Sequence, residues 1–224
     1  DTLRKREWIN RPLHVVLLGC HALVPMLLCE LQGDTGAAIV FFAMFLAMSL
    51  AAGVKLRYFA ILGGLVLIAL PLLWQFGMDE YKKLRFIALF NLDDPNIRMD
   101  AGYQQYQGRI SIGSGKLTGQ GLFHGSRVAS NSVPFQQSDY IFSVAGEELG
   151  FVGCSLILLL LLLFMAKVLH VAQTARDDLG KYICFGYFGI IALQSISNIG
   201  MCLALLPAMG VTLAFFSAGG SSAI

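Results

Sequence analysis

The sequence predicts an all-α, polytopic transmembrane bundle of about six spans with one long loop outside the cytoplasm. Three observations predict it. Only 13% of the 224 residues are charged and 56% are hydrophobic, with a mean hydropathy of +0.68; soluble domains carry about 25% charged residues. Six apolar runs meet or approach the roughly 20 residues that cross a bilayer. One long polar interval, 77–138, separates the first three runs from the last three. The net charge of +2 is too small to argue for a nucleic-acid partner, and none is expected.

The candidate spans are 12–30, 35–53, 57–76, 148–169, 181–203 and 208–224. The second and last are short and rich in small residues, which neighbouring helices can cover. This gives one membrane domain over 1–224: three spans within 12–76, a loop with interfacial helices over 77–147, and three spans within 148–224. Basic residues set the orientation. Arg4, Lys5, Arg6 and Arg11 flank the first span, Lys55 and Arg57 lie between the second and third, and Lys167, Arg176 and Lys181 lie between the fourth and fifth. Alternating spans put all of these on the cytoplasmic side and the interval 77–138 outside, since loops above about 60 residues translocate largely regardless of charge. No secretory signal pattern is visible, the first residue is Asp, and the last apolar run stops abruptly, so the sequence reads as a piece of a longer protein. The five cysteines lie in apolar runs without a CxxC pair or metal-ligand spacing, which predicts buried structural thiols.

Within the long interval, Tyr81 to Asn96 places Leu84, Ile87, Phe90 and Asn91 at helical spacing, as an interfacial or an ordinary surface helix. Seven glycines between Gly102 and Gly125 predict tight turns and close backbone approach in place of regular structure. Neither nucleotide fingerprint is present. Gly115-Lys116 lacks the glycine a P-loop needs at Ile110 and the Ser or Thr it needs at Leu117, and Gly113-Ser114-Gly115 is followed by Thr118 where a third glycine belongs. Backbone N–H groups with Arg109, Lys116 and Arg127 remain able to hold a pyrophosphate; the alternative is a solvated basic loop.

Asp139 stands at the edge of the fourth span. Ser138 or Asp139 caps the helix that begins here, or Asp139 is a general base at the lip of a membrane cavity. Ser143 and Glu147 follow at i+4 and i+8, near one flank. Glu147 and Glu148 read as carboxylates meeting water and headgroups, or as a second acid pair or metal ligands. Gly146, Gly150 and Gly153 read as a surface for helix packing. Gln194, Ser195, Ser197 and Asn198 are polar at membrane depth, for interhelical hydrogen bonds or for lining a cavity. The four histidines are scattered and suggest no role.

Four ordered blocks carry a resemblance. The run Asn198 to Ser222, NIGMCLALLPAMGVTLAFFSAGGSS, resembles the C-terminal signature of the SEDS family, the shape, elongation, division and sporulation proteins of bacteria (RodA, FtsW, SpoVE). LQGDTGAA (Leu31 to Ala38), GYQQYQGRISIGSGKLTGQG (Gly102 to Gly121) and SDYIFSVAGEELG (Ser138 to Gly150) resemble three further blocks in the family's order. The spacing from His124-Gly125 through Pro134 to Asp139 is closer to the rod-shape branch, RodA. The resemblance implies a fold of roughly ten spans of which this chain holds the last six. It implies a peptidoglycan glycosyltransferase that polymerises lipid II into glycan strands at the outer face of the cytoplasmic membrane, with undecaprenyl pyrophosphate as leaving group and a class B penicillin-binding protein as partner. A lipid II flippase and a non-catalytic scaffold for penicillin-binding proteins are the alternatives. The family's essential acid falls on Asp139, as the base in a single inverting displacement. Arg109 and Lys116 are expected at the pyrophosphate, with Ser138, Glu147, Asn198 and Ser217 as further substrate-binding candidates and a divalent cation, Mg2+ or Mn2+, as a plausible cofactor. The chain departs from the family at Gly33 and Ala214, where proline is usual, at Ala204 and Ala208, and at Gln137, where histidine is usual.

Overall fold

The computed structural model describes residues 7–218. It is all-helical among those residues, with no strand. In chain order the helices are α1 (Pro12–Leu31), α2 (Thr35–Ala51), α3 (Leu56–Leu72, continued by one π-helical turn Leu73–Gly77), α4 (Glu80–Phe90), α5 (Pro95–Met99), α6 (Tyr103–Ser114), α7 (Ser126–Ala129), α8 (Ile141–Thr174) and α9 (Asp178–Cys202). By length and composition α1, α3 with its π turn, α8 and α9 can each cross a membrane, and α2 is an apolar helix of 17 residues.

Five of the six expected spans are therefore helices, and the sixth is not. The described part of 208–224 is irregular. Pro207 removes a donor, and Ala204, Gly210 and Phe215 hold positive φ. The apolar character of this segment reflects burial in protein, since Ala208, Val211, Leu213 and Ala214 are all buried. Residues 219–224 lie outside the described part. The fourth span begins earlier than expected, at Ile141, and breaks at Gly150, whose φ of 66° and ψ of −166° are non-helical. The stretch 102–125 divides. Residues 103–114 form α6 despite two of the seven glycines, Gly108 and Gly113, and 115–125 is the turn-rich backbone expected of the rest.

The chain forms two compact units, Asp1–Met78 with Met165–Ala192, and Asp79–Phe164 with Leu193–Ile224. In the first, Gly186 and Gly189 of α9 lie against α2: a Cβ at Gly189 would stand 2.8 Å from Ala47 Cβ and 2.9 Å from the Ala43 carbonyl oxygen. Such close backbone approach is how helices associate in lipid. The turns are fixed locally. Asp34 accepts from Ala37 N–H at 2.8 Å and caps α2. Gly33 holds φ +78°, a conformation closed to the proline that is usual in the family. Asn10 donates to the Gly53 carbonyl and accepts from Lys55 N–H. Cys20 is exposed on α1, and Cys29 and Cys184 are half-buried, so only Cys154 and Cys202 match the expected burial; all five thiols are free. In the second unit, Tyr140, Phe142, Ile157, Leu161, Met201, Cys202 and Leu213 make one core under the turn that carries Asp139.

Candidate functional site

The site is built on a turn, residues 135–140, that closes on itself before α8 begins. Ser138 and Tyr140 N–H groups both donate to the Phe135 carbonyl, and the Ser138 hydroxyl lies 3.4 Å from the same oxygen. Its three consecutive carbonyls are each held by the C-terminal third of the chain. Ala218 N–H donates to Gln137 O at 2.8 Å, Ser217 Oγ to Ser138 O at 2.7 Å, and Asn198 Nδ2 to Asp139 O at 2.7 Å. Asn198 spends its other amide hydrogen on Val211 O at 2.8 Å, and Leu213 N–H donates to Ser217 Oγ at 2.8 Å. A backbone held on three successive carbonyls fixes where the next side chain points.

That side chain is Asp139, half-buried. A Cβ on Gly210 would stand 3.8 Å from its Oδ2, so the carboxylate borders the stretch 208–210. Arg85 of α4 reaches the same stretch: its Nη1 donates to Ala208 O at 2.9 Å while the guanidinium stacks on the Tyr81 ring at 4.6 Å. Gln105 of α6, fully buried, donates to Leu206 O at 2.7 Å. Beside Asp139, burial pushes the Tyr140 phenol well above its usual range, so it stays neutral. Its hydroxyl has no hydrogen-bond partner among the described residues.

A second cluster forms where α8 breaks. The break at Gly150 leaves the Glu147 and Glu148 carbonyls without their helical donors, and Gln120 and Gly121 N–H groups supply them at 2.9 and 3.0 Å. In return Phe151 and Val152 N–H groups donate to Lys116 O and Leu117 O. A methyl at Gly115 would overlap the Gly146 carbonyl, which is why the loop is glycine-rich. Glu147 lies under this loop with no exposed surface, Oε1 accepting from Arg127 N–H at 2.7 Å and Oε2 without a partner among the described residues. Arg127 in turn donates from Nε to Ser111 Oγ and from Nη2 to Gln107 Oε1.

The sequence candidates are thus sorted. Asp139, Ser138, Asn198 and Ser217 come together. Asn198 and Ser217, expected to bind substrate, hold the Asp139 turn by its backbone, with their polar hydrogens on carbonyls. Glu147 and Glu148, expected to meet water, are buried because the 115–127 loop folds over them. Arg127 is engaged internally. Arg109 and Lys116 are exposed and have no polar side-chain partner among the described residues. Of the small residues, Gly146 packs against Ile112 of α6 as expected, whereas Gly150 makes the break. Sequence reasoning does not single out Arg85; its i, i+4 spacing from Tyr81 is the available signal. Among the described residues no three His, Cys, Asp or Glu side chains converge on a metal site.

The family model described as "Cell cycle protein" (FTSW_RODA_SPOVE) matches residues 3–224. The chain is 35% identical over 201 residues to "Peptidoglycan glycosyltransferase MrdB" of Escherichia coli (strain K12), covering 90% of this chain and 54% of that protein. It is 36% identical over 193 residues to "Probable peptidoglycan glycosyltransferase FtsW" of Geobacter sp. (strain M18), covering 86% and 51%. It is 34% identical over 200 residues to "Stage V sporulation protein E" of Bacillus subtilis (strain 168), covering 85% and 51%. A solved structure described as "Structural coordination of polymerization and crosslinking by a peptidoglycan synthase complex" superposes with a TM-score of 0.75 at 25% identity, covering 96% of this chain and 58% of the other. The chain spans about half the length of the curated relatives it matches.

Proposed function

The chain belongs to the FtsW/RodA/SpoVE family of membrane proteins, and from that premise we propose that it is the part of a peptidoglycan glycosyltransferase that carries the catalytic base. The single observation that supports this best is the Asp139 turn: a half-buried carboxylate on a backbone clamped at three consecutive carbonyls. In the proposed reaction Asp139 takes the proton of an acceptor sugar hydroxyl as that oxygen bonds to the anomeric carbon of a second lipid-linked sugar. The bond from that carbon to the pyrophosphate breaks, and the lipid pyrophosphate leaves with the electron pair. A weakly acidic hydroxyl gains from a positioned base in the transition state, and a clamped turn supplies the position at no further entropic cost. The leaving pyrophosphate needs cations. Arg109 and Lys116, both exposed and uncommitted among the described residues, and Arg85 beside the 208–210 stretch are the proposed sources. A Mg2+ or Mn2+ ion carried by the pyrophosphate would add to the charge that these cations offset.

Lipid II as substrate, the outer face of the bacterial cytoplasmic membrane as location, and a class B penicillin-binding protein as partner complete the proposal. A role in elongation is favoured by the similarity to MrdB and the rod-shape spacing noted above. A flippase would use polar groups at membrane depth, but Asn198 has both amide hydrogens on backbone carbonyls, which favours the transferase. The discriminating experiment gives the intact protein and its partner lipid II already on the outer side. Glycan strands are the expected product. No polymerisation under conditions where the partner crosslinks preformed strands would exclude the enzymatic reading.

A further inference from the structure

We propose that the loop 116–124 is an interfacial anchor whose Leu117, Leu122 and Phe123 side chains sit in the outer acyl boundary of the bilayer beside α8. The first observation is where hydrocarbon begins. Before the break, α8 is enclosed on several sides, with Phe142, Ser143, Gly146, Glu147 and Glu148 all buried. From Phe151 onward only Cys154, Ile157, Leu161 and, near the far end, Ala172 are buried, and most of the other residues are exposed. One buried stripe on an otherwise open leucine-rich helix of spanning length is the pattern of a lipid-facing span. Gly150 therefore marks the upper edge of the hydrocarbon.

The second observation is what lies at that edge. Phe151 and Val152 donate their N–H groups to Lys116 O and Leu117 O, so the loop is bonded to the first turn of the open segment. At that level it presents three large apolar side chains: Phe123 is 89% exposed, Leu117 68% and Leu122 59%. The turn offering them is fixed, with His124 N–H donating to Gly121 O at 3.1 Å and His124 Nδ1 lying 2.7 Å from Leu122 O. Apolar side chains of this size held in water on an ordered turn lose the transfer free energy that burial would supply. The residues of α8 to which the loop is bonded, Phe151 and Val152, are themselves large, apolar and exposed, which commits the loop to acyl chains, and Lys116 is exposed where a lysine reaches headgroups.

The test places tryptophan at the tip. Phe123→Trp is made in the intact protein with Trp8, Trp74 and every tryptophan outside this chain replaced by Phe, and reconstituted into phosphatidylcholine vesicles with brominated acyl chains. The expected result is blue-shifted emission quenched by the brominated lipid and little affected by acrylamide in the water. Ser130→Trp, exposed in the same polar interval, should behave in the opposite way. Leu122→Trp serves as an independent probe should the first variant fail to assemble. Acrylamide quenching equal to that of the Ser130 variant would overturn the proposal by placing the loop in water. Shielding from both quenchers would overturn it equally, because the loop would then be covered by protein.

Discussion

Asn198 has no exposed surface, and each of its amide hydrogens ends on a backbone carbonyl, one of them that of Asp139. Replacing it by Ala leaves two acceptors unpaired at roughly 1–3 kcal/mol apiece. Asn198→Ala should therefore lower the melting temperature in detergent and reduce strand synthesis, because the Asp139 turn loses one of its three clamps. Glu147 is predicted to behave differently. Glu147→Gln keeps an acceptor for Arg127 N–H and should fold and polymerise near normally, whereas Glu147→Ala strands that N–H and should cost about 1–3 kcal/mol of stability; parallel thermal melts of the two variants check this. Asp139 stands out in the sequence as an acid at the edge of an apolar run, but the residues alone fit a helix cap as well, and its proposed role as base comes from the family resemblance. The duties of Asn198 and Ser217 were not legible there, because their partners lie 59 and 79 residues away in the chain. A polar residue at membrane depth looks the same whether it faces a cavity or a neighbouring carbonyl.

At the level of elements, the break in α8 joins the glycine-rich loop to the helix that follows Asp139. Gly150 sits at φ 66° and ψ −166°, a region essentially reserved for glycine, and a Cβ there would also collide with Gly119 N. Gly150→Ala should release the loop, and hydrogen exchange should speed up at the amides of Gln120, Gly121, Phe151 and Val152, which bond across the break. Unchanged protection at those four amides would refute the assignment. The break could not be read from sequence, because glycines at 146, 150 and 153 fit helix packing equally well, and Gly146 does pack in that way. Helix α6 was missed for the opposite reason. Its glycines argue against a helix in isolation, but Gly108 lies where a Cβ would stand 2.9 Å from the Tyr140 ring and from Ser143 Oγ, so tertiary contact overrides propensity. The expected sixth span fails because composition alone does not distinguish a segment buried in protein from one buried in lipid.

Across the whole molecule, low charge and high hydropathy were enough to give the all-helical membrane class, and the ordered blocks were enough to give the family. The orientation inferred from lysines and arginines is open to a direct check. In the intact protein freed of native cysteines, the five of this chain among them, Ser130→Cys should react with a membrane-impermeant maleimide added from outside the cytoplasm, and Lys55→Cys should not. The activity belongs to the intact protein, since this chain is about half of its relatives' length. The proposed reaction requires the carboxylate of Asp139 to accept the proton of the attacking sugar. Asp139→Asn keeps the backbone whose carbonyls are clamped and removes only the basicity, so the intact variant should still assemble with its partner yet make glycan strands from lipid II at a rate lower by roughly 10²–10⁴-fold. Strand synthesis within a few-fold of the unmodified protein, by a variant that folds and binds its partner normally, would contradict it.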